Sequence, residues 1–430
     1  MDTNYLIIAL ILIGCMACYI PVFMCLFFTA VAGFIITDKP ILFLFDTFFL
    51  SMDKFALVVV LFFILCGNIM TAGSIVDKLI KVANALVSWL PGGLGMAAII
   101  ACGLFGAISG STVATVVALG GFMIPALIEN GYDEKYTLGL MTTSPNLGVI
   151  IPPSIGMILY SMISNVSLEG LFLTGFVPGF LIILGTCLYT FLLYRNNPTI
   201  IRKSVPDFTS VLCVLKEGFW SLMLPVIIFG GIFSGAFTAN EAAVVACVYA
   251  FVVELFIHQS IKLSDVKTIT VNSAVTSATL LIIVAGATCF GRYLTFENIP
   301  GQITEAVLQS IQSPIVFLFA INVLLLAIGM FMDIISATLI LGPVFLPMLD
   351  AFNVDPMHFG LIMTVNLAIG YCTPPMGVSL YITGAIGKRD IIFVSKAVVP
   401  FLIIQIFVLL LITYLPDLIL ALPQMMGFVY

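Results

Sequence analysis

Met141-Thr142-Thr143-Ser144-Pro145-Asn146-Leu147-Gly148 and Ile151-Pro152-Pro153-Ser154 interrupt one long apolar stretch, and 222 positions later Met363-Thr364, Asn366, Gly370 and Thr373-Pro374-Pro375 interrupt another. Under that single ungapped shift Met141-Thr142 falls on Met363-Thr364, Gly148 on Gly370 and Pro152-Pro153 on Pro374-Pro375. The match extends outward to Leu119-Gly120 on Leu341-Gly342, Pro125 on Pro347, Leu127 on Leu349, Asp133 on Asp355 and Pro178 on Pro400. Chance likeness between apolar segments does not align prolines, so the chain contains an internal repeat. Each copy carries a proline-broken helix, because proline removes a backbone donor and clashes with the preceding turn.

Composition sets the solvent. Of 430 residues 62% are hydrophobic and 8% charged, with mean hydropathy +1.24; a domain of this size with so few charges belongs in a bilayer. The net charge of −6, spread over short loops, offers no basic stripe for nucleic acid. Met1-Asp2-Thr3-Asn4-Tyr5 has no Lys or Arg before a long apolar run, which reads as a retained first span and not a cleaved leader.

Taking about 20 apolar residues per crossing, spans are expected near 5–36 (one crossing, or two short helices divided near Pro21), 55–73, 137–164, 171–193, 219–236, 240–257, 272–290, 358–385 and 397–418. Four shorter apolar pieces, 94–108, 112–128, 314–329 and 334–349, read as two re-entrant hairpins. Each hairpin follows an arm. Within 76–90, Val76, Leu79, Ile80, Ala83, Val87 and Leu90 share one helical face opposite Asp77, Lys78, Lys81, Asn84 and Ser88, as in a helix lying in the membrane interface; 299–312 is a weaker version. Five crossings separate the hairpins, an odd number, so the second copy is inverted relative to the first.

The expected architecture is therefore an all-α, polytopic, inverted-repeat transporter with two re-entrant hairpins and two broken helices. Residues 1–75 form N-terminal scaffold, 76–180 the first repeat, 181–298 central scaffold, 299–402 the second repeat and 403–430 the end of the C-terminal helix. Lys78 and Lys81, then Arg195, Arg202, Lys203 and Lys216, then Lys262 and Lys267, then Lys388, Arg389 and Lys396 all fall on one side, which the distribution of positive charge assigns to the cytoplasm. Lys39 and Lys54, on the outer side, go against the pattern.

The chemistry-bearing residues cluster at hairpin tips and helix breaks: Ser109-Gly110-Ser111-Thr112 with Ser144–Ser154, and Gly329–Asp333 with Asn366–Pro375. An unpaired backbone carbonyl in hydrocarbon costs several kcal/mol, so such breaks persist where they line a cavity or bind something. Carbonyls freed by proline suit a cation, and half-helix N-termini suit an anion. The plainer reading has Ser111 and Asp333 simply capping the second hairpin arms. Asp333 is the sharper signal, since a carboxylate at membrane depth is costly; with hydroxyls and carbonyls it makes a hard-oxygen set that favours sodium over a proton relay. Arg292, in Phe290-Gly291-Arg292-Tyr293, offers a planar fork to a carboxylate, or else snorkels to the interface. Glu241, after Thr238-Ala239-Asn240, reads as a helix-capping charge.

Other classes find little support. The ten cysteines are scattered, and Cys15 and Cys18 have no second pair to complete a metal site; they read as apolar filler. His258 and His358 belong to no HExxH pattern, and no GxxxxGK[ST] loop occurs. An intramembrane enzyme would need a nucleophile with its base or paired aspartates, whereas the membrane-depth segments offer only Asp333.

The long motifs Ser109-Gly110-Ser111-Thr112-Val113-Ala114-Thr115, Ile124-Pro125-Ala126, Gly131-Tyr132-Asp133 and Ile151-Pro152-Pro153-Ser154, with Met332-Asp333, Pro343-Val344-Phe345-Leu346-Pro347, Asp355-Pro356-Met357-His358-Phe359-Gly360, Asn366-Leu367-Ala368-Ile369-Gly370 and Thr373-Pro374-Pro375, resemble the large membrane subunit of tripartite ATP-independent periplasmic (TRAP) transporters across essentially the whole chain. The resemblance implies a sodium-coupled importer in a bacterial inner membrane that works with a small four-helix membrane subunit and a periplasmic binding protein delivering a carboxylate-bearing substrate. It implies two or more sodium sites, no organic cofactor, and an elevator-type transporter in which the hairpins and broken helices move as one body against the remaining scaffold. One site would draw on Ser109, Ser111, Asn146 and Gly148, the other on Gly329, Asp333, Gly370 and Thr373. Substrate is expected at Ser111, Thr112, Pro153 and Ser154, with Arg292 as counter-charge. Relatives often lack a basic residue at the position of Arg292, and Gly291-Arg292-Tyr293-Leu294-Thr295 looks most like the sialic acid transporters. Some relatives fuse the small subunit to the large one; this chain begins at the large-subunit start, so a separate small partner is expected. The competing reading is a stand-alone sodium/dicarboxylate symporter of related architecture, which needs no binding protein.

Overall fold

In the computed structural model, which describes residues 3–18, 20–55, 57–196 and 208–428, the chain is a stack of helices in which the repeats interlock. Arg202 and Lys203 of the expected cytoplasmic loop lie outside the described residues. The segment 5–36 resolves into two helices, α1 (Thr3–Ala17) and α2 (Val22–Ile36), with Pro21 as the cap of the second. They are followed by α3 (Leu42–Met52), α4 (Leu57–Ala72) and the arm α5 (Ile75–Val87). The first hairpin is α6 (Gly93–Ser109) and α7 (Thr112–Glu129). The first broken helix runs α8 (Glu134–Thr143), a 3-10 turn over Ser144–Asn146, α9 (Leu147–Ile150) and α10 (Ile155–Ser164). Then come α11 (Leu168–Tyr194), α12 (Phe208–Glu217), α13 (Phe219–Phe233), α14 (Ala239–Val252) with a π-helical turn over Val253–Ile257, and α15 (Leu263–Phe296). The second half repeats the order: arm α16 (Ile299–Ser310), hairpin α17 (Pro314–Gly329) and α18 (Ile334–Ala351), and broken helix α19 (Pro356–Gly370) and α20 (Val378–Gly387). The chain closes with α21 (Ile391–Tyr414) and α22 (Pro416–Met425).

Among the described residues seven helices are long and apolar enough to cross a membrane, or nine if two bent pairs count as one span each. The hairpin arms run to 16–18 residues, α17 as expected and the other three one or two residues longer; at 1.5 Å per residue they reach about 24–27 Å against a hydrocarbon core of about 30 Å, and α7 and α18 are among the seven. Three helices fall outside the expected spans. α3 has only 11 residues and carries Asp46, α12 and α22 have 10 each and are amphipathic, so none supplies a span-length apolar run. α15, in contrast, has 34 residues and carries Arg292 within it.

The repeat is visible in the capping. Asp133 Oδ1 accepts from the Tyr136 amide at 3.0 Å to start α8, and Asp355 Oδ1 accepts from the Met357 and His358 amides at 2.7 and 3.0 Å to start α19; each such cap contributes about 1 kcal/mol. Both Pro152-Pro153 and Pro374-Pro375 bonds are cis. The halves then exchange partners: α10, the far half of the first broken helix, packs on α18 and α19, while α20, its counterpart, packs on α7 and α8. Around this body, α15 packs against α2, α3 and α4, and α14 against α4 and α13.

Two polar contacts fasten α5 and the end of α15. Glu254, fully buried in the π-helical turn, accepts hydrogen bonds from the Ser74 and Ile75 amides at 2.8 and 2.7 Å and from the Ser260 hydroxyl. A carboxylate 180 residues away thus caps α5 from outside, where Ser74 itself forms no side-chain cap. Burial and nearby Lys78 hold the His258 imidazole below its usual range although Glu254 pushes the other way; its Nδ1 lies 3.2 Å from the Ser74 hydroxyl and 3.6 Å from the Glu254 carboxylate. At the end of α15 Lys39 pairs with Glu297 and reaches the Phe296 carbonyl. A cation at a helix C-terminus beside a carboxylate explains why Lys39 departs from the loop-charge pattern.

Candidate functional site

Each hairpin tip meets its own broken helix backbone to backbone, and paired glycines permit the approach. A Cβ on Gly106 would lie 2.4 Å from the Gly148 Cα, and one on Gly370 2.6 Å from the Gly329 Cα. At the first tip Gly110 adopts φ 61°, the left-handed region glycine tolerates, and a Cβ there would sit 2.7 Å from the Pro153 carbonyl oxygen. The structure thereby brings together Ser109, Ser111, Gly148 and Pro153 in one half-site and Gly329 with Gly370 in the other. Tyr371 fastens the second: its hydroxyl accepts from the Ile334 amide at 3.2 Å, beside Asp333.

The capping roles are present. Ser111 Oγ accepts from the Ala114 amide at 3.4 Å, Ser154 Oγ from Met157 at 3.5 Å, and Asp333 Oδ2 from Ser336 at 2.9 Å. Capping does not exhaust them. The cap engages one carboxylate oxygen of half-buried Asp333 and one lone pair of each hydroxyl, and leaves the rest for a ligand. Ser109 Oγ lies 3.2 Å from Thr115 Oγ1, which donates to the Ser111 carbonyl at 2.8 Å. Thr373 Oγ1 donates to the Ile369 carbonyl at 2.8 Å, so its lone pairs face outward from that bond.

Some buried polar atoms without a protein partner lie at the same places, Thr112 Oγ1 after the first tip, Ser144 Oγ in the first break and Ser336 Oγ after the second tip, with Asn366 Oδ1 one turn before the end of α19 and Thr383 Oγ1 on α20; Thr137, Ser221 and Asn240 carry others elsewhere. Orphaned polar atoms inside a protein call for an unseen partner. Hydroxyl, amide and backbone oxygens with one carboxylate are the donor set of a hard cation, and the C-termini of α6, α17 and α19 point spare carbonyls at the breaks. The N-termini of α7, α10, α18 and α20 face the same region and favour an anion. The residues present therefore fit both a small cation and an anionic substrate.

Arg292 is placed differently. It is exposed, and its guanidinium carbon lies 5.0 Å over the Phe43 ring and 5.3 Å over Phe296, the stacking expected of a cation held at an interface. Glu241 has the capping role read from the sequence: it accepts from the Thr238 amide at 2.8 Å while Thr238 Oγ1 accepts from the Glu241 amide at 3.3 Å. The sequence reading missed Tyr371, Asn322 and Gln405. The last two are conspicuous amides inside α17 and α21, and a buried amide in a spanning segment is itself a signal.

Comparison with known proteins identifies the family. Residues 9–418 match the family described as the tripartite ATP-independent periplasmic transporter, DctM component. A C4-dicarboxylate TRAP transporter large permease protein of Rhodobacter capsulatus is 37% identical over 408 residues, 92% of each chain. The sialic acid TRAP transporter large permease protein of Vibrio cholerae is 33% identical over 419 residues, covering 96% of this chain and 97% of that one. The solved YdaH transporter of Alcanivorax borkumensis superposes with TM-score 0.63 over 87% of this chain and 88% of its own at 16% identity, a likeness of fold alone.

Proposed function

This chain belongs to the DctM component family of tripartite ATP-independent periplasmic transporters, and on that premise we propose that it is the large permease subunit of a sodium-coupled, binding-protein-dependent importer of a carboxylate-bearing anion. As a family member it is a multi-pass inner-membrane transporter subunit and not an enzyme. Its partners in this reading are a small membrane subunit and a periplasmic binding protein.

The observation that carries the reading is the doubled tip and break. One sodium ion is held by Ser109, Ser111, Asn146 and Gly148 and a second by Gly329, Asp333, Gly370 and Thr373. Two bound cations offset the charge of the anion, which sits against Ser111, Thr112, Pro153 and Ser154 at the N-termini of α7 and α10. Arg292 joins the substrate only by leaving Phe43 and Phe296. The interlocked repeats move as one body against α2–α4 and α13–α15, an elevator motion.

C4-dicarboxylates and sialic acid, the substrates in the names of the relatives, share a carboxylate, and the stretch Gly291–Thr295 brings sialic acid into the test. Proteoliposomes holding this chain and its small partner are assayed for uptake of each anion, with and without an inward sodium gradient and the cognate binding protein. Uptake that requires both supports the reading. Uptake of a dicarboxylate without the binding protein returns the chain to the stand-alone symporter class, and uptake indifferent to sodium removes the coupling ion.

A further inference from the structure

α21 lies outside both hairpins and both breaks, yet it reaches into each break through a chain of directed hydrogen bonds. At the first, Gln405 Nε2 donates to the Thr143 carbonyl at 2.9 Å, and Gln405 Oε1 accepts from Asn146 Nδ2 at 3.0 Å. A backbone carbonyl can only accept, so the Thr143 oxygen fixes which end of the Gln405 amide faces it. The Gln405 oxygen is then turned to Asn146, and Asn146 must present its NH2 to α21 and its Oδ1 to the break. That oxygen lies 3.4 Å from the Cys372 thiol, which has a single proton and a shorter contact, 3.0 Å, to the Thr142 carbonyl.

The second chain has the same logic with different residues. Thr413 Oγ1 donates to the Leu409 carbonyl at 2.7 Å and, its proton spent, accepts from Asn322 Nδ2 at 3.1 Å. Asn322 Oδ1 accepts from Asn366 Nδ2 at 2.6 Å, and that same Nδ2 also donates to the Ile362 carbonyl at 2.9 Å. Asn366, one turn before α19 ends at Gly370, is left with Oδ1 fully buried and without a protein partner. Gln405, Thr413, Asn322, Asn146 and Asn366 are all buried, so no water competes for these bonds.

We infer that α21 is the orienting strut of both cation half-sites: Gln405 directly, and Thr413 through Asn322, turn the side-chain oxygens of Asn146 and Asn366 into the two breaks as ligands. These are positioning residues, touching neither ion nor substrate. One helix holding both asparagines also ties the two sites together, because a shift of α21 releases both oxygens at once. The inference rests on the sodium reading above.

The test is sodium titration of thermal unfolding, with potassium as the control ion, on the full chain with its small partner in detergent. The variants are Gln405→Met, Gln405→Glu, Thr413→Val and Thr413→Ser. Thr413→Val keeps the shape and removes the relay, whereas Thr413→Ser keeps the hydroxyl. Gln405→Glu keeps the acceptor for Asn146 but loses the donor to Thr143. Gln405→Met and Thr413→Val should raise the half-saturating sodium concentration about tenfold, the factor that 1.4 kcal/mol of binding energy corresponds to; Gln405→Glu should lie between, and Thr413→Ser should match the parent. Lower melting temperatures with unchanged half-saturation in Thr413→Val would overturn the inference, since a purely structural role predicts that result. A parent protein that melts identically in sodium and potassium would instead overturn the sodium reading, and the strut with it.

Discussion

Gly370→Ala tests the contact on which the second half-site depends. The added methyl would lie 2.6 Å from the Gly329 Cα and carbonyl carbon and 2.9 Å from its oxygen. Carbon atoms rest at about 3.5–4.0 Å, so α17 must retreat from α19 by about 1 Å; both obstacles are backbone, and no rotamer relieves them. Overpacking of this kind costs about 1–3 kcal/mol. Gly121→Ala, on an exposed turn of α7 with nothing within 4 Å of the new methyl, is the matched control. There the change gains up to about 1 kcal/mol of helix propensity. The two alanines should therefore separate by roughly 2–4 kcal/mol in denaturant unfolding of the detergent-solubilised protein. The same retreat pulls the Gly370 and Gly329 carbonyls apart, so Gly370→Ala should also weaken the sodium response and Gly121→Ala should not. Equal stability and equal sodium response in both variants would show that tip and break do not need backbone contact.

Three further substitutions probe separate parts of the molecule. Asp333→Asn keeps an oxygen to cap α18 while removing the charge, so expression and melting in potassium should hold while sodium-dependent uptake falls; unchanged sodium dependence would take Asp333 out of the ion site. Glu254→Ala leaves the Ser74 and Ile75 amides without an acceptor, at about 1–3 kcal/mol each, and Glu254→Gln should recover part of that loss in the same unfolding assay. If Glu254→Ala unfolds like the parent, the arm is held by its apolar face alone. Arg292→Ala should leave assembly intact, as its rings lie on an exposed face; a fall in carboxylate uptake at constant expression would assign it to the substrate, and normal uptake would leave it at the interface.

How much of this was legible in sequence depends on the kind of interaction involved. Prolines at matched offsets declared both broken helices, because a proline in hydrocarbon changes the backbone whatever surrounds it. The capping of α18 by Asp333 and the Glu241 box were legible for the same reason: they are local, closed within three residues. What stayed hidden is set by contacts of long sequence separation. Nothing near Glu254 indicates that it caps a helix 180 residues earlier, and nothing near Gln405 that it reaches Thr143, 262 residues away. The exchange of α10 and α20 between repeats is hidden likewise, since it follows from how the broken halves cross and not from their composition. One clue did survive. An amide in the middle of an apolar helix must find partners or pay a desolvation cost of about 1–3 kcal/mol, so Gln405 in α21 and Asn322 in α17 announced that something polar lay opposite, though not what. The unshared oxygen on Asn366 extends the same reasoning one step: with its NH2 held by α17 and its own helix, the remaining acceptor has no protein partner, and a water or a bound cation would meet that need.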